Sequence, residues 1–261
     1  MEELKNKPLV EAIVELRWGP ARADLSAALP QPDLDYQRLL FSFRDKVREK
    51  YPYHEPLPAA SLPPELNRQI VQHRFRVARD AWPLVQFGPG IMAFNDTEGY
   101  KWESFETRCV EAIQEMNRAH EEVGVPAVEL GSIMLRYLDA ITPTEDSTDL
   151  FQFLHDYLHV DLHLPEGLFS DGADRAPRGL VWRSEFSVPQ LQSRAILGLS
   201  TGKHHDKPAV VLETIALSDE GKAPGQGLEE IRAWLDGAHS LLQRWFMSLI
   251  EGALYERFSS G

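Results

Sequence analysis

The chain has 261 residues, 43% of them hydrophobic and 26% charged, which is enough to bury a full core as one large domain or two compact halves. A net charge of −13 disfavours nucleic acid and anionic membrane surfaces as partners, because the averaged field repels phosphate. The single cysteine, Cys109, cannot close an internal disulfide, so the chain reads as cytoplasmic.

The N-terminal residues carry charge and then alternate, with no continuous apolar run of the signal-peptide kind, and no stretch reaches the roughly 20 apolar residues of a membrane helix. In "PLVEAIVELRW" Val10, Ala12, Val14, Leu16 and Trp18 share one face, while Glu11, Ile13, Glu15 and Arg17 share the other. Period two predicts a half-buried strand. A proline-bearing loop follows. Then Asp35 is placed to cap a helix whose stripe is Leu39, Leu40, Phe43 and Val47.

The segment from Tyr51 to Leu66 is Pro-rich and predicts irregular structure. "RQIVQHRFRVAR" predicts a strand with Val71, His73, Phe75 and Val77 opposite Gln72, Arg74 and Arg76. "WPLVQFGPGIMAF" predicts another, bulged or bent at Gly88-Pro89-Gly90. This Gly-Pro-Gly lacks the Lys and following helix of a phosphate-binding loop. Asn95, Asp96 and Gly99 suit a tight turn, with Asp96 and Glu98 as a carboxylate pair on a solvated loop. Trp102, Phe105, Cys109, Ile113 and Met116 then form a helical stripe that packs the thiol inside.

After Pro126 the pattern restarts. "ELGSIMLRYLDAIT" predicts a strand, and "STDLFQFLHDYLHV" a helix capped near Ser147 or Thr148. Three strands follow, in "RGLVWRSEFSV", "SRAILGLSTG" and "AVVLETIALS", then one long helix from Gly227 to Phe258. The expected class is α+β: two pseudo-repeated strand-helix-strands-helix halves, 1–123 and 127–261, with mainly antiparallel sheet and helices packed on one side. The two halves also read as one continuous domain.

Five blocks together carry a resemblance: "PLVEAIVELRW", "WPLVQFGPGIMAFNDTEGYKWESF", "LRYLDAI", the "LSTG" strand end and "LDGAHSLLQRWFMSLI". In these the chain resembles an uncharacterised prokaryotic family of similar length, scattered sporadically among bacteria and archaea. The resemblance implies a cytoplasmic protein and carries over no catalytic residue. A sporadic distribution implies an accessory role in a defence-like or toxin–antitoxin-like module.

The residues offer two functional readings. Outward-facing strand positions hold Glu11, Glu15, Arg17, Arg74, Arg76, Arg136, Arg183, Glu185, Arg194 and Glu213. Arginine's planar fork suits carboxylate and phosphate. The face therefore predicts a site for an anionic small molecule or acidic peptide, against the plainer reading of cross-strand Arg–Glu pairs. Residues Glu15, Arg17, Arg74, Arg76, Arg136, Arg183, Glu185 and Glu213 are its candidate ligand contacts. The other reading is a metal-dependent or hydrolytic enzyme. His155 and His159, at i,i+4, would share a helix face and chelate a metal, with His163 or Asp161 beyond. The Glu of H-E-x-x-H is missing, and no G-x-S-x-G elbow exists. His204 and His205 lie in a predicted hairpin loop. The non-catalytic binding protein is preferred, with no cofactor. The apolar arc of the C-terminal helix offers a surface for a protein partner or self-association.

Overall fold

Alternation builds the centre of the molecule. In strand β1 (Leu9–Trp18) Ala12, Val14 and Leu16 are buried on one side, and Glu11, Glu15 and Arg17 turn to the other. Strand β6 (Leu130–Ile141) repeats the pattern and pairs antiparallel with β1, Val14 opposite Leu135. The computed structural model describes residues 4–19, 34–62, 68–97, 99–124, 129–143, 149–219, 221–225 and 227–260.

Four strands extend the sheet beyond β1: β2 (Tyr53–Pro56), β3 (His73–Arg76), β4 (Leu84–Gly88) and β5 (Ile91–Asp96). Three extend it beyond β6: β7 (Val181–Val188), β8 (Ser193–His204) and β9 (Lys207–Ser218). The result is one nine-stranded sheet in the order β2-β3-β4-β5-β1-β6-β9-β8-β7, antiparallel at every pairing. The protein is α+β, and the sheet runs without interruption through both halves of the chain.

The described helices are α1 (Leu34–Val47), α2 (Trp102–Val123), α3 (Leu150–Leu158), α4 (Leu228–Leu249) and α5 (Ala253–Ser259). All five cover one side of the sheet. Phe43 and Tyr36 of α1 stack on Phe87 of β4 at 4.6 and 6.1 Å between ring centroids. Phe105 of α2 meets Phe94 of β5 at 5.3 Å. In α4, Trp234 donates from Nε1 to Ser193 Oγ on β8. Phe153, Leu154 and Leu158 of α3 and Leu254 and Phe258 of α5 cluster with Leu199, Val210 and Leu212. The strand register places every one of these strand residues on the same side as Val14 and Leu135. Each fully buried aromatic or leucine contributes roughly 1.5–3 kcal/mol, which holds the helical layer to the sheet. Among the described residues no helix is long and apolar enough to cross a membrane.

Several local expectations are corrected. The Trp82–Phe94 segment is not one bent strand but a hairpin, β4 to β5, turning at Pro89 and Gly90. Proline fixes its own φ, and Gly90 takes φ +75°. Both faces of β4 and β5 are buried, which hid the turn behind a continuous apolar run. Asn95 and Asp96 sit inside β5, buried, rather than on a solvated turn; Glu98 lies outside the described residues. The Pro-rich segment holds β2, an edge strand whose Pro56 needs no ladder donor. Strand β3 is only four residues long and leaves out Val71 and Val77. Helix α1 starts at Leu34, so Asp35 is an acid in its first turn and not its cap. Helix α3 is capped by Asp149, whose carboxylate accepts from Phe151 N–H; Ser147 and Thr148 lie outside the described residues. The C-terminal helix divides into α4 and α5 at Ile250–Gly252, where Gly252 adopts φ +87°.

Candidate functional site

The side of the sheet opposite the helices gathers the charged positions. One row across the strands runs Glu55, Arg74, Gln86, Ala93, Glu15, Met134, Leu217 and Arg194. The next runs Arg76, Leu84, Asn95, Ile13, Arg136, Ile215, Ile196 and Glu185. A third holds Glu11, Leu138, Glu213, Gly198 and Arg183. Arg17 faces the same way, two positions beyond Glu15. All eight residues picked from the sequence as ligand contacts therefore lie on the side of the sheet away from the helices, but only its β8–β7 end is open: Arg183 and Glu185 are half-exposed, while Arg76 is buried with Leu84 and Asn95 beside it.

They are also already paired, some with one another and some with neighbouring side chains. Arg17 Nε donates to Glu15 Oε1 at 2.6 Å. Arg74 donates to Gln86, Gln86 to Asn95, and Asn95 to Glu11, at 3.2, 2.9 and 2.9 Å. Arg76 reaches Glu55 at 3.4 Å and the Ala81 carbonyl, with its guanidinium 5.5 Å from the Trp82 ring centre. Arg194 bridges Glu185 at 3.2 Å and Asp219 at 3.6 Å. The tightest cluster is Glu213. Arg136 holds its Oε1, and Arg183 Nη1 donates to its Oε2 at 3.0 Å. Gly198, between Glu213 and Arg183 in the row, makes this reach possible: a Cβ there would meet Glu213 Oε2 at 3.3 Å. Arg136 Nε is buried without a hydrogen-bond acceptor. Acids and arginines nearly balance on this face, in a chain that is strongly acidic as a whole.

The histidines of α3 do not share a helical face. The helix ends at Leu158, and His159 is its C-cap in the left-handed region at φ +54°. The His159 ring lies 2.9 Å from the Glu251 carbonyl oxygen through Nε2, while His155 Nδ1 meets Asp161 Oδ1 at 2.5 Å. That hydrogen bond raises the His155 pKa above the ordinary imidazole value. His204 ends β8, and His205 and Asp206 form the hairpin turn, both with positive φ. Among the described residues no three His, Cys, Asp or Glu side chains group to hold a metal. Cys109 is fully buried, and desolvation pushes its thiol pKa well up.

The sequence reading missed a second polar cluster, under the helices. The Tyr137 hydroxyl lies between the Tyr100 hydroxyl at 2.7 Å and His239 Nδ1 at 2.8 Å. Trp102 stacks flat on His239 at 4.0 Å and donates from Nε1 to Asp236. Burial lowers the His239 pKa to about 4, so the imidazole is neutral at pH 7. It also raises both phenol pKa values, Tyr100 and Tyr137 alike. Two positions along β6, Asp139 is 5% exposed, and desolvation pushes its carboxyl up to about 7. A visible signal was the Tyr137/Asp139 alternation in "LRYLDAI", which places an acid on a face otherwise continued by Leu135 and Ile141.

No protein-family model matches the chain, and no curated protein sequence matches it.

Proposed function

We propose that this is a non-catalytic binding protein whose open sheet face receives an anionic small molecule or an acidic peptide. The observation that carries the reading is the convergence of Arg136 and Arg183 on Glu213. Two guanidiniums already grip one carboxylate there. Arg183 is half-exposed and uses a single nitrogen on Glu213, so the rest of its planar fork is open to a second carboxylate or a phosphate. Arg74 on β3 and Arg194 on β8 stand towards opposite ends of one row, two rows from Arg183, and add further guanidiniums on the same side of the sheet.

The halves are read as repeats. The order β1-β5-β4-β3 on one side parallels β6-β9-β8-β7 on the other, and β1 lies antiparallel to β6 as a local two-fold would require. An accessory role in a bacterial defence-like or toxin–antitoxin-like module follows from the family resemblance alone.

The test is calorimetric titration with a hexaglutamate peptide, against hexalysine as the control. Hexaglutamate should bind, more weakly as salt rises. The Arg74→Ala, Arg183→Ala double variant should bind it at least tenfold less tightly with unchanged thermal unfolding. Equal affinity for variant and wild type would remove the sheet face from the function.

A further inference from the structure

On the helix side of the sheet the chain forms a half-open pocket of about 750 Å³ between the start of α2, helix α4 and strands β1, β6 and β9. That volume is in the range of sites for small organic ligands. Its floor is polar and buried: Asp139, Tyr137 and Thr214 are exposed by 5, 8 and 1%. Leu9, Phe246 and Met247 supply apolar walls. The exposed residues of the mouth are mixed in sign, with Lys7 and Lys101 beside Glu103 and Asp236.

Asp139 distinguishes this cavity from a packing defect. Among the described residues no side chain or backbone group pairs with its carboxylate. Its strand neighbours in register are Leu9 and Leu212, neither of which can answer a charge. A buried carboxylate without a partner is costly, and the cost falls when a cation or strong donor reaches it. Of the other polar groups at the floor, Tyr137 and His239 are already engaged, and the Thr214 hydroxyl is neutral and can both donate and accept. Tyr137 is held between Tyr100 and His239, and the His239 ring is covered by Trp102. The charged group of the floor is therefore Asp139, which when ionised only accepts. With Glu103 and Asp236 at the mouth, carboxylates outnumber the lysines, and the neutral His239 adds no positive charge.

We infer that this cavity binds a small amphipathic amine, its ammonium seated on Asp139 and its apolar body against Leu9, Phe246 and Met247. The ammonium supplies the donors that Asp139 lacks. The stacked Trp102–His239 pair forms a rigid shoulder that limits the width of the bound group.

Three probes of nearly equal size separate charge from shape: 2-phenylethylamine, 2-phenylethanol and 3-phenylpropionate. Binding is read by calorimetry and by tryptophan fluorescence, since Trp102 borders the cavity. The amine should bind at least tenfold more tightly than the alcohol, and the carboxylate weakest of all. In Asp139→Asn, which keeps the side-chain volume, the amine should lose tenfold or more and its preference over the alcohol should vanish. Equal affinity for all three probes, a preference for the alcohol or the carboxylate, or no binding of the amine at millimolar concentration would overturn the proposal. So would an Asp139→Asn protein that binds the amine as the wild type does. The ranking of the probes on the wild-type protein decides the matter even if the variant folds poorly.

Discussion

Replacing Asp139 by Asn should make the protein more stable, and only above a definite pH. In the folded chain burial moves this carboxyl from its ordinary value of 3.8 to about 7. A folded pKa above the unfolded one means that the native state holds the proton more tightly. The stability linked to that proton is complete below about 3.8 and is lost as pH rises through 7. Each pH unit across this interval is worth about 1.4 kcal/mol, so the ionised Asp139 costs on the order of 4 kcal/mol in full. Asparagine has no proton to lose and nearly the same shape. Urea unfolding of both proteins, followed from pH 4 to pH 8, should give a difference in unfolding free energy that grows in favour of the variant up to about pH 7 and then levels off. A difference that stays constant across the range would mean that Asp139 is solvated or paired, and the argument from its burial would be wrong.

Other groups give sharper local tests. Desolvation, with His54 beside it, lowers the His73 pKa to about 4, so its contribution is present above pH 6.5 and lost as pH falls towards 4. His73→Phe should flatten the acid side of the stability profile by up to about 3 kcal/mol, measured as Tm against pH. Cys109 should be silent to a thiol reagent such as dithiobisnitrobenzoate in the native protein and react as one equivalent in denaturant; rapid native labelling would contradict its burial. Gly88→Ala should cost about 1–3 kcal/mol in urea unfolding, because the new Cβ would lie 2.1 Å from the Ile70 carbonyl oxygen. Gly131→Ala, whose Cβ would meet nothing closer than 3.4 Å, should be near neutral and serves as the control.

The long central strands were legible in the sequence because one of their faces is buried and the other is not. In β1 and β6 that asymmetry writes a period of two, and the same period assigned the arginines and glutamates of the open face correctly to one side. Where both faces are buried, as in β4 and β5, the period disappears, and a hairpin reads as one strand. Strand β2 was illegible for the opposite reason: four residues between prolines carry too little pattern, and the strand exists because His54 stacks on Phe75 across the sheet edge at 4.8 Å. The cavity depends on Tyr100, Tyr137 and His239 meeting across 37 and 102 residues of chain, which no local spacing encodes. His155 and His159 failed as a helical pair because α3 stops one residue too soon, at a left-handed cap that the sequence does not announce with glycine.

Strand β6 divides the chemistry of the two faces between alternate residues. Arg136 turns outward to Glu213, and Tyr137 and Asp139 turn inward under α4. Arg136 is matched by a carboxylate, and Tyr137 by two hydrogen-bond partners. Asp139, flanked by Leu9 and Leu212, is matched by nothing on its own layer, although Leu135 and Ile141 on the same side of the strand are apolar. A leucine or valine at this position would continue that layer and remove the cost of a buried acid. Secondary structure gives no reason for the carboxylate either, since aspartate is a poor strand former. The fold would therefore be better served without Asp139, and the space its carboxylate faces is a cavity large enough for a ligand. A cation entering this space would answer the unpaired acid at its floor, so Asp139→Asn should lose amine binding while gaining stability, two effects of opposite sign that a merely misfolded variant would not show together.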